Sequence, residues 1–329
     1  MLSEPYKIKE VKTMSRLEPF ERWNHLKSAG FNTYNVSSEH VSFDLVAKGM
    51  SSWSHFQKAA LMVGDEAYAG SRNFYALERN AQRVLGVGKI VPTHNGIGAE
   101  KLLAVTMCKP GQLVPTNRGR NEGLVVALGG ELRDVTVARA ASFGPPSAFG
   151  GDLDLERLAA LLLEPSKLAY VHVEACPDAW NGQPMSLANL QQASRLCREA
   201  KVPLVLDASN IIAMAQWNLR AGPVANATLL ETVRTATAAA DIVIVDASQD
   251  CRSDVGGFIS SSIDGYWEKF RNEVVLYEGL HTYGGMTGRA MEVFAVGIAE
   301  LEETAYADWT LAQIEELHGL LLARKVPCT

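Results

Sequence analysis

Short apolar runs that alternate with helical segments are the feature that most constrains the fold of this chain. Val202–Leu206 and Asp241–Val245 have the length and the aliphatic composition of buried strands. Each run is followed by an aspartate, Asp207 or Asp246. Buried strands separated by helices predict a mostly parallel α/β sheet with helices on both faces. Because ligands of such sheets bind at the carboxyl ends of the strands, both aspartates are predicted to lie at a binding edge.

The neighbouring segments continue this alternation. Three further apolar runs are predicted to be strands: Leu124–Leu128, Thr136–Ala138 and Lys167–Val173. Segments with helical spacing of their apolar residues are predicted to be helices: Gly98–Met107, Leu153–Leu163, Leu187–Ala200, Thr228–Ala240 and Leu301–Ala323, the last as one helix or two. Ser186 is the predicted N-cap of the helix that begins at Leu187. The Gly- and Pro-containing stretch Phe143–Gly151 is predicted to be a loop.

Composition excludes several classes of protein. The 329 residues are 47% hydrophobic and 21% charged, which is ordinary for one large core or two domains. The formal net charge of −6 is spread without long runs, so nucleic acid is not an expected partner. The apolar runs are too short to span a bilayer, and Met1–Glu10 has no apolar export signal. Five widely spaced cysteines are typical of reduced thiols, and a cytoplasmic protein without a membrane partner is expected.

Five segments resemble, in their order and spacing, the tryptophanase and tyrosine phenol-lyase family. They are Met62–Leu77, Pro92–Glu100, Asn181–Leu190, Val202–Ser209 and Tyr277–Val296. The resemblance implies the fold-type-I architecture of enzymes that use pyridoxal 5′-phosphate (PLP), with a seven-stranded sheet in a large α/β domain and a small domain. It also implies active sites shared across a homodimer within a homotetramer. The expected division is an N-terminal arm with small-domain elements (1–45), the large domain (46–290), and a linking helix with a reduced small domain (291–329).

Several residues of the family's site are retained. Asp207 stands at the position of the carboxylate that keeps the pyridine nitrogen protonated, unless it caps the following helix. Tyr68 stands where the family places a tyrosine from the neighbouring subunit near the phosphate, unless it only packs at the dimer contact. Asn95 and Gly96 belong to the segment that resembles the phosphate loop. Glu66 matches the carboxylate that binds a monovalent cation such as K⁺, unless it is a structural carboxylate without an ion.

Other residues that PLP chemistry requires are replaced. Gln249 stands in place of the lysine that forms an imine with the cofactor, and an amide nitrogen is not a nucleophile. No lysine occurs between Lys201 and Lys269. Asp246 replaces a serine at the phosphate, where a carboxylate about 4 Å away would repel each unit of phosphate charge by about 4 kcal/mol at an effective dielectric constant of about 20. Arg120 replaces the aromatic ring that stacks on the cofactor, so PLP is suggested by the resemblance and disfavoured by these residues.

The replacements add charged residues to the strand ends and their loops. Those expected to surround the former cofactor cavity are Glu174, Asp178, Asp207, Asp246, Asp250, Asp254, Arg118, Arg120, Arg252, His94 and His172. Such a set suits a divalent metal, a cationic substrate or a general acid–base pair, and it is equally compatible with ion pairs that merely fill the cavity. The catalytic candidates are Tyr68, Asp207, Asp246 and His172. His172 lies on a strand of alternating pattern and is equally compatible with a core histidine.

Three functions are compatible with this pattern. The first is an enzyme that keeps the lyase scaffold and acts on a small amino-acid-like or aromatic substrate without a PLP–lysine imine. The second is a non-catalytic subunit that pairs with an intact relative or with itself. The third is a weak PLP-dependent lyase that works from an external aldimine. The family's carboxylate-binding arginine lies in the C-terminal small domain, which is expected to be largely missing here or lost by truncation, and the first function is preferred.

Overall fold

The computed structural model describes residues 4, 5, 7, 13, 15–42, 53–118, 123–138, 149–221 and 227–326. The chain divides into two compact units, Ser3–Lys48 and Gly49–Thr329, while the expected separation of residues 291–329 stays a prediction. The first unit contains helix α1 (Pro19–Ser28) and two single 3-10 turns, Thr33–Asn35 and Ser38–His40. Among the described residues, none of the helices combines the length and the apolar character that crossing a bilayer requires.

The second unit is built on a sheet with the strand order β1-β7-β6-β5-β4-β2-β3 in the described part of the chain. The strands are β1 (Ile90–Thr93), β2 (Leu113–Thr116), β3 (Glu131–Asp134), β4 (Val171–Glu174), β5 (Leu204–Asp207), β6 (Ile242–Asp246) and β7 (Gly257–Ser261). β7 is antiparallel to its neighbours β1 and β6, and the other pairs are parallel. All strands except β7 therefore end at one edge, which confirms the predicted mostly parallel α/β sheet with seven strands.

Helices cover both faces of this sheet. They are α2 (His55–Val63), α3 (Arg72–Leu85), α4 (Gly96–Met107), α5 (Gly123–Ala127), α6 (Leu155–Leu162), α7 (Leu187–Ala200), α8 (Ile211–Ala221), α9 (Leu229–Ala239), α10 (Tyr266–Tyr277), α11 (Gly288–Glu300) and α12 (Thr304–Ala323). Successive residues of β6 point to opposite faces, as the pleat of a strand requires. Ile244 packs with Phe270 of α10 on one face, and Val243 lies in the core of the other face with Met214 of α8.

Most predicted elements are confirmed, and two strand predictions, Leu124–Leu128 and Thr136–Ala138, are wrong. Helix α7 begins after Ser186, whose hydroxyl oxygen accepts a hydrogen bond from the backbone N–H of Asn189 at 3.1 Å. Most of the predicted strand Leu124–Leu128 instead forms α5, which buries Val125 in the core beneath α4. The edge strand β3 follows, and Thr136 contributes only an isolated bridge to Leu153. An edge strand is half exposed, so β3 lacks the apolar run by which the other strands are recognised.

Candidate functional site

The carboxyl edge of the sheet carries the polar residues of the candidate site. Glu174, Asp207 and Asp246 are the last residues of β4, β5 and β6. His94 directly follows β1, which ends at the same edge because β7 is antiparallel to both β1 and β6. Glu174 and Asp207 are direct register partners. The structure therefore brings together the acidic strand ends that the sequence predicts, and Arg120 lies outside the described residues.

Asp207 is linked to Asp246 through Ser209. Oδ1 of Asp207 accepts hydrogen bonds from the backbone N–H of Ser209, at 2.9 Å, and from its hydroxyl group. The same hydroxyl oxygen accepts a hydrogen bond from the backbone N–H of Asp246 at 2.8 Å. None of the described residues donates a hydrogen bond to Oδ2 of Asp207. Asp250 instead caps α8, since its Oδ2 accepts from the N–H of Ile212 at 2.8 Å, which argues against the helix-cap interpretation of Asp207.

Glu174 is a largely buried carboxyl group, with 15% of its side chain exposed. Its Oε1 lies 2.5 Å from Nε of Arg118, and Nη1 of the same arginine lies 2.8 Å from Oε1 of Glu100. Burial raises the pKa of Glu174 to about 7 although Arg118 lowers it; Asp207 raises this pKa further and His172 lowers it. A carboxyl group with a pKa near neutrality can donate and accept a proton at physiological pH, as general acid–base catalysis requires.

The side chain of Asp246, at the end of β6, contacts the N-terminus of α4. Its Oδ2 accepts a hydrogen bond from the backbone N–H of Gly96 at 2.7 Å. Its Oδ1 accepts from the backbone N–H of Ser248 at 2.8 Å and from the Ser248 hydroxyl. Asn95 is the N-cap of α4, and its Oδ1 accepts from the N–H of Gly98 at 2.8 Å. The backbone N–H groups of Gly96 and Gly98, in the predicted phosphate loop, therefore donate to oxygen atoms of the chain itself.

A second carboxylate, Glu278, reaches the same end of α4 and is absent from the sequence-based predictions. It directly follows α10, and its side chain is 4% exposed. Its Oε2 accepts a hydrogen bond from the backbone N–H of His94 at 2.9 Å and is in close contact with Nδ1 of the same residue. A Cβ atom on Gly98 would lie 2.7 Å from Oε1 of Glu278. The motif Tyr277–Val296 contains this glutamate, but nothing in the motif indicates that its side chain is buried against another loop.

Tyr68 and Glu66 lie on the loop between α2 and α3. Tyr68 is 67% exposed, and its ring centroid lies 5.4 Å from that of Tyr283. Tyr283 belongs to the loop that follows Glu278, so Tyr68 contacts the segment that carries the second carboxylate. Oε1 of Glu66 lies 3.0 Å from Nε of Arg289. This arginine supplies a positive charge beside Glu66, and a K⁺ ion at Glu66 stays a prediction.

His172 and Gln249 differ in their access to the edge. His172 is 1% exposed, and its ring centroid lies 6.2 Å from that of Tyr170, which favours the core interpretation of this histidine. Its effect on the site is electrostatic, through Glu174. Gln249 lies in the turn after β6 and is partly buried. Arg252, which follows in the same turn, pairs with Glu300 at 2.6 Å.

A divalent metal centre has no support in the described ranges. No group of three or more histidine, cysteine, aspartate or glutamate side chains there has the arrangement of a metal site. The alternative that ion pairs fill the former cofactor cavity is supported at Arg118, which joins Glu174 to Glu100. Both oxygens of Asp246 and Oδ1 of Asp207 accept hydrogen bonds from hydroxyl and backbone donors instead. Within the described part of the chain, the edge therefore contains one carboxyl group paired with an arginine and two carboxylates that accept hydrogen bonds from neutral donors.

Comparison with known proteins places this geometry in a family context. The model of the beta-eliminating lyase family matches residues 42–326. A tyrosine phenol-lyase of Nostoc punctiforme is 34% identical over 335 residues, which cover 99% of this chain and 71% of the relative. A tyrosine phenol-lyase of Pasteurella multocida is also 34% identical over 335 residues, covering 99% of this chain and 72% of the relative.

Solved structures share the fold at much lower identity. A candidate aromatic amino acid beta-eliminating lyase/threonine aldolase from Exiguobacterium has a TM-score of 0.54 and 17% identity, covering 77% of this chain and 68% of that chain. A serine palmitoyltransferase of Sphingomonas wittichii has a TM-score of 0.52 and 14% identity, covering 78% of this chain and 61% of that chain. These likenesses show the fold of fold-type-I PLP enzymes.

Proposed function

We propose that this chain, which belongs to the beta-eliminating lyase family, binds a small amino-acid-like or aromatic molecule at the carboxyl edge of its sheet and acts on it by proton transfer. The observation that carries the proposal is the pairing of Glu174 with Asp207 at the ends of adjacent strands. Burial raises the pKa of Glu174 to about 7, and Oδ2 of Asp207 is left for a ligand by the described residues. Two such groups give one site a proton donor and a proton acceptor.

Neighbouring residues orient both carboxyl groups. Arg118 contacts Oε1 of Glu174, and Glu100 holds the other end of the guanidinium group. The backbone N–H of Asp178 donates to Oε2 of Glu174 at 3.2 Å. Ser209 fixes Oδ1 of Asp207 in the same way. Fixed carboxyl groups lose little conformational freedom when a ligand binds, which supports a role in positioning as well as in proton transfer.

The residues present do not fit PLP. Its phosphate would need the backbone N–H groups at the start of α4, and the N–H of Gly96 donates to Asp246. Its aldehyde would need an amine at the position of Gln249, whose amide nitrogen is not a nucleophile. The proposed chemistry therefore proceeds without a PLP–lysine imine. Descent from the same family as tyrosine phenol-lyases supports an aromatic or amino-acid-like ligand.

Ligand titration of the purified chain tests this proposal. We expect calorimetric binding of L-tyrosine, L-tryptophan or a related aromatic acid, with proton uptake or release measured in buffers of different ionisation enthalpy. Glu174→Gln should abolish the proton exchange, and Glu199→Gln, on the exposed side of α7, should leave it unchanged. Addition of PLP, with or without amino acid, should produce no protein-bound absorbance at about 420 nm. A yellow holoprotein, or binding without proton exchange, would contradict the proposal.

A second candidate function, self-assembly as a subunit, is supported by exposed apolar side chains. Met62 is 82% exposed. The others on α2, α3 and the loop between them are Phe56, Val63, Tyr68 and Tyr75. Exposed apolar residues concentrated in one segment are typical of a protein interface. Light scattering should give a homodimer or homotetramer for the wild type and a smaller species for Met62→Glu, with Thr235→Glu on α9 as the control; a monomeric wild type would rule this function out.

A further inference from the structure

We infer that the carboxylate of Asp246 occupies the place at the start of α4 that a ligand's phosphate group would take. It thereby excludes phosphate-bearing ligands from this edge of the sheet. Only the start of α4 and the end of β6 are involved. Exclusion of phosphate goes beyond the proposed function, because it holds whether or not Glu174 transfers a proton. Asp246 is thus a specificity-determining residue that selects the chemical class of the ligand.

The carboxylate of Asp246 is hydrogen-bonded as a bound anion would be, by a set of donors that we call the cradle. Three donors from two chain segments reach its carboxylate: the N–H of Gly96, the N–H of Ser248 and the hydroxyl of Ser248. Both carboxylate oxygens are used. The N-terminus of the 12-residue helix α4 carries partial positive charge, which the negative charge of Asp246 complements. The helix end therefore already has the anionic partner that a phosphate would supply.

The available space leads to the same conclusion. A phosphate oxygen that accepts from the N–H of Gly96 has to lie about 2.9 Å from that nitrogen. Oδ2 of Asp246 already lies there, at 2.7 Å. A Cβ atom added to Gly96 would lie 2.7 Å from Cβ of Asp246 and 2.8 Å from its Oδ2, so the two segments are in direct contact. Exclusion of a phosphate is therefore steric as well as electrostatic.

The rest of the loop offers a phosphate little compensation for the charge of Asp246. Glu278 places a second carboxylate beneath Gly98, 2.7 Å from where a Cβ atom of that glycine would lie. Ile97, between the two glycines, is 63% exposed and carries no charge. A phosphate dianion at this helix end would face two carboxylates, and the imidazole of His94 in the same loop already contacts one of them, Glu278. Like charges at such short range disfavour binding.

Inorganic phosphate is the probe that tests this inference. Asp246→Ser removes both the charge and the volume of the carboxylate, whereas Asp246→Asn removes the charge and keeps the volume. We expect about 20 mM phosphate, against chloride at equal ionic strength, to raise the Tm of Asp246→Ser by about 2 °C or more. The wild type and Asp246→Asn should show no such rise, because their side chains still fill the cradle. Circular dichroism establishes that each variant is folded.

Each contrary result overturns the inference. Phosphate that stabilises the wild type as much as Asp246→Ser would show that the carboxylate excludes nothing. A folded Asp246→Ser without a phosphate response would show that the cradle does not accept this anion. If Asp246→Ser fails to fold, Gly96→Ala in the wild type decides: its Cβ would displace Asp246, so the Tm should fall. An unchanged Tm in Gly96→Ala would mean that Asp246 does not occupy the cradle.

Discussion

Glu174 and Asp207 are direct register partners at the carboxyl ends of β4 and β5. Burial affects the pKa of Glu174 more than the neighbouring Arg118 does, so this carboxyl group keeps its proton up to about pH 7. A protonated Glu174 avoids placing a second negative charge beside Asp207. This relationship makes the stability of the protein depend on pH in a defined direction.

Glu174→Gln should change that pH dependence. The pKa of Glu174 rises from 4.5 to about 7 on folding, so the folded state retains the proton at a pH where the unfolded state has lost it. The contribution to stability is therefore complete below pH 4.5 and is lost as the pH rises to about 7. The loss is on the order of 3 kcal/mol. Relative to the wild type, Glu174→Gln should gain stability over this range, as measured by urea unfolding at several pH values.

Glu199→Gln is the matched control for this measurement. Glu199 lies on the exposed side of α7, so its replacement should give a stability profile parallel to that of the wild type. A profile for Glu174→Gln that is also parallel to the wild type would contradict the raised pKa of Glu174.

Asp250→Asn should stabilise the protein above neutral pH. Although part of the Asp250 surface is accessible, burial raises the pKa of its carboxyl group to about 7 against the opposing hydrogen bond from Ile212. Asparagine keeps the acceptor for the N–H of Ile212 and removes the cost of ionisation. We expect a gain of about 1 kcal/mol or more at about pH 8 and a smaller gain at about pH 5, because the loss of stability on ionisation begins at the ordinary pKa of 3.8 and is complete only above about 7. Asp250→Ala also removes the ionisable group but loses the cap of α8, so it should be about 1 kcal/mol less stable than Asp250→Asn at both pH values, as measured by thermal unfolding.

An Asp250→Asn variant that is less stable than the wild type at alkaline pH would refute this prediction. It would mean that the ionised carboxylate of Asp250 is favourable where it lies, and that burial does not dominate its pKa.

Gly98→Ala should destabilise the protein although it places alanine in a helix. Alanine in place of a helical glycine ordinarily adds about 1 kcal/mol of stability. Here the new Cβ atom would lie 2.7 Å from Oε1 of Glu278, which is buried and held by His94. We expect a net loss of about 1–3 kcal/mol from this overpacking. Gly88→Ala, where no atom lies within 4 Å of the new Cβ, is the control in thermal unfolding; equal effects of the two variants would contradict the placement of Glu278.

Gln249→Lys alone should not create a tyrosine- or tryptophan-cleaving enzyme. It restores an amine after β6, but the N–H of Gly96 remains bonded to Asp246. Absorbance at about 420 nm with added PLP, and assays for released phenol and indole, should match those of the wild type. Cleavage of either amino acid by the single variant would overturn this expectation, and Gln249→Met is the control for the change in size.

Much of the fold is readable from local pattern. The apolar runs before Asp207 and Asp246 are β5 and β6, and the cap of α7 lies at Ser186 as predicted. These elements are central and buried, so their sequences carry a strong apolar signal. The strand β3 could not be predicted from an apolar run, because it is an edge strand with alternating exposure. The five motifs that resemble the lyase family agree with the family match over residues 42–326.

The sequence by itself determined the parallel sheet, the family, the aspartates at the ends of β5 and β6, and the absence of a lysine between Lys201 and Lys269. Only the tertiary structure decided which groups the carboxylates of the site contact. Asp246 accepts a hydrogen bond from Gly96, 150 positions away, and Glu278 accepts one from His94, 184 positions away. Periodicity reports how a residue relates to its near neighbours in the chain. Burial and long-range contact, which set the pKa of Glu174 and fill the start of α4, arise only when distant segments pack together.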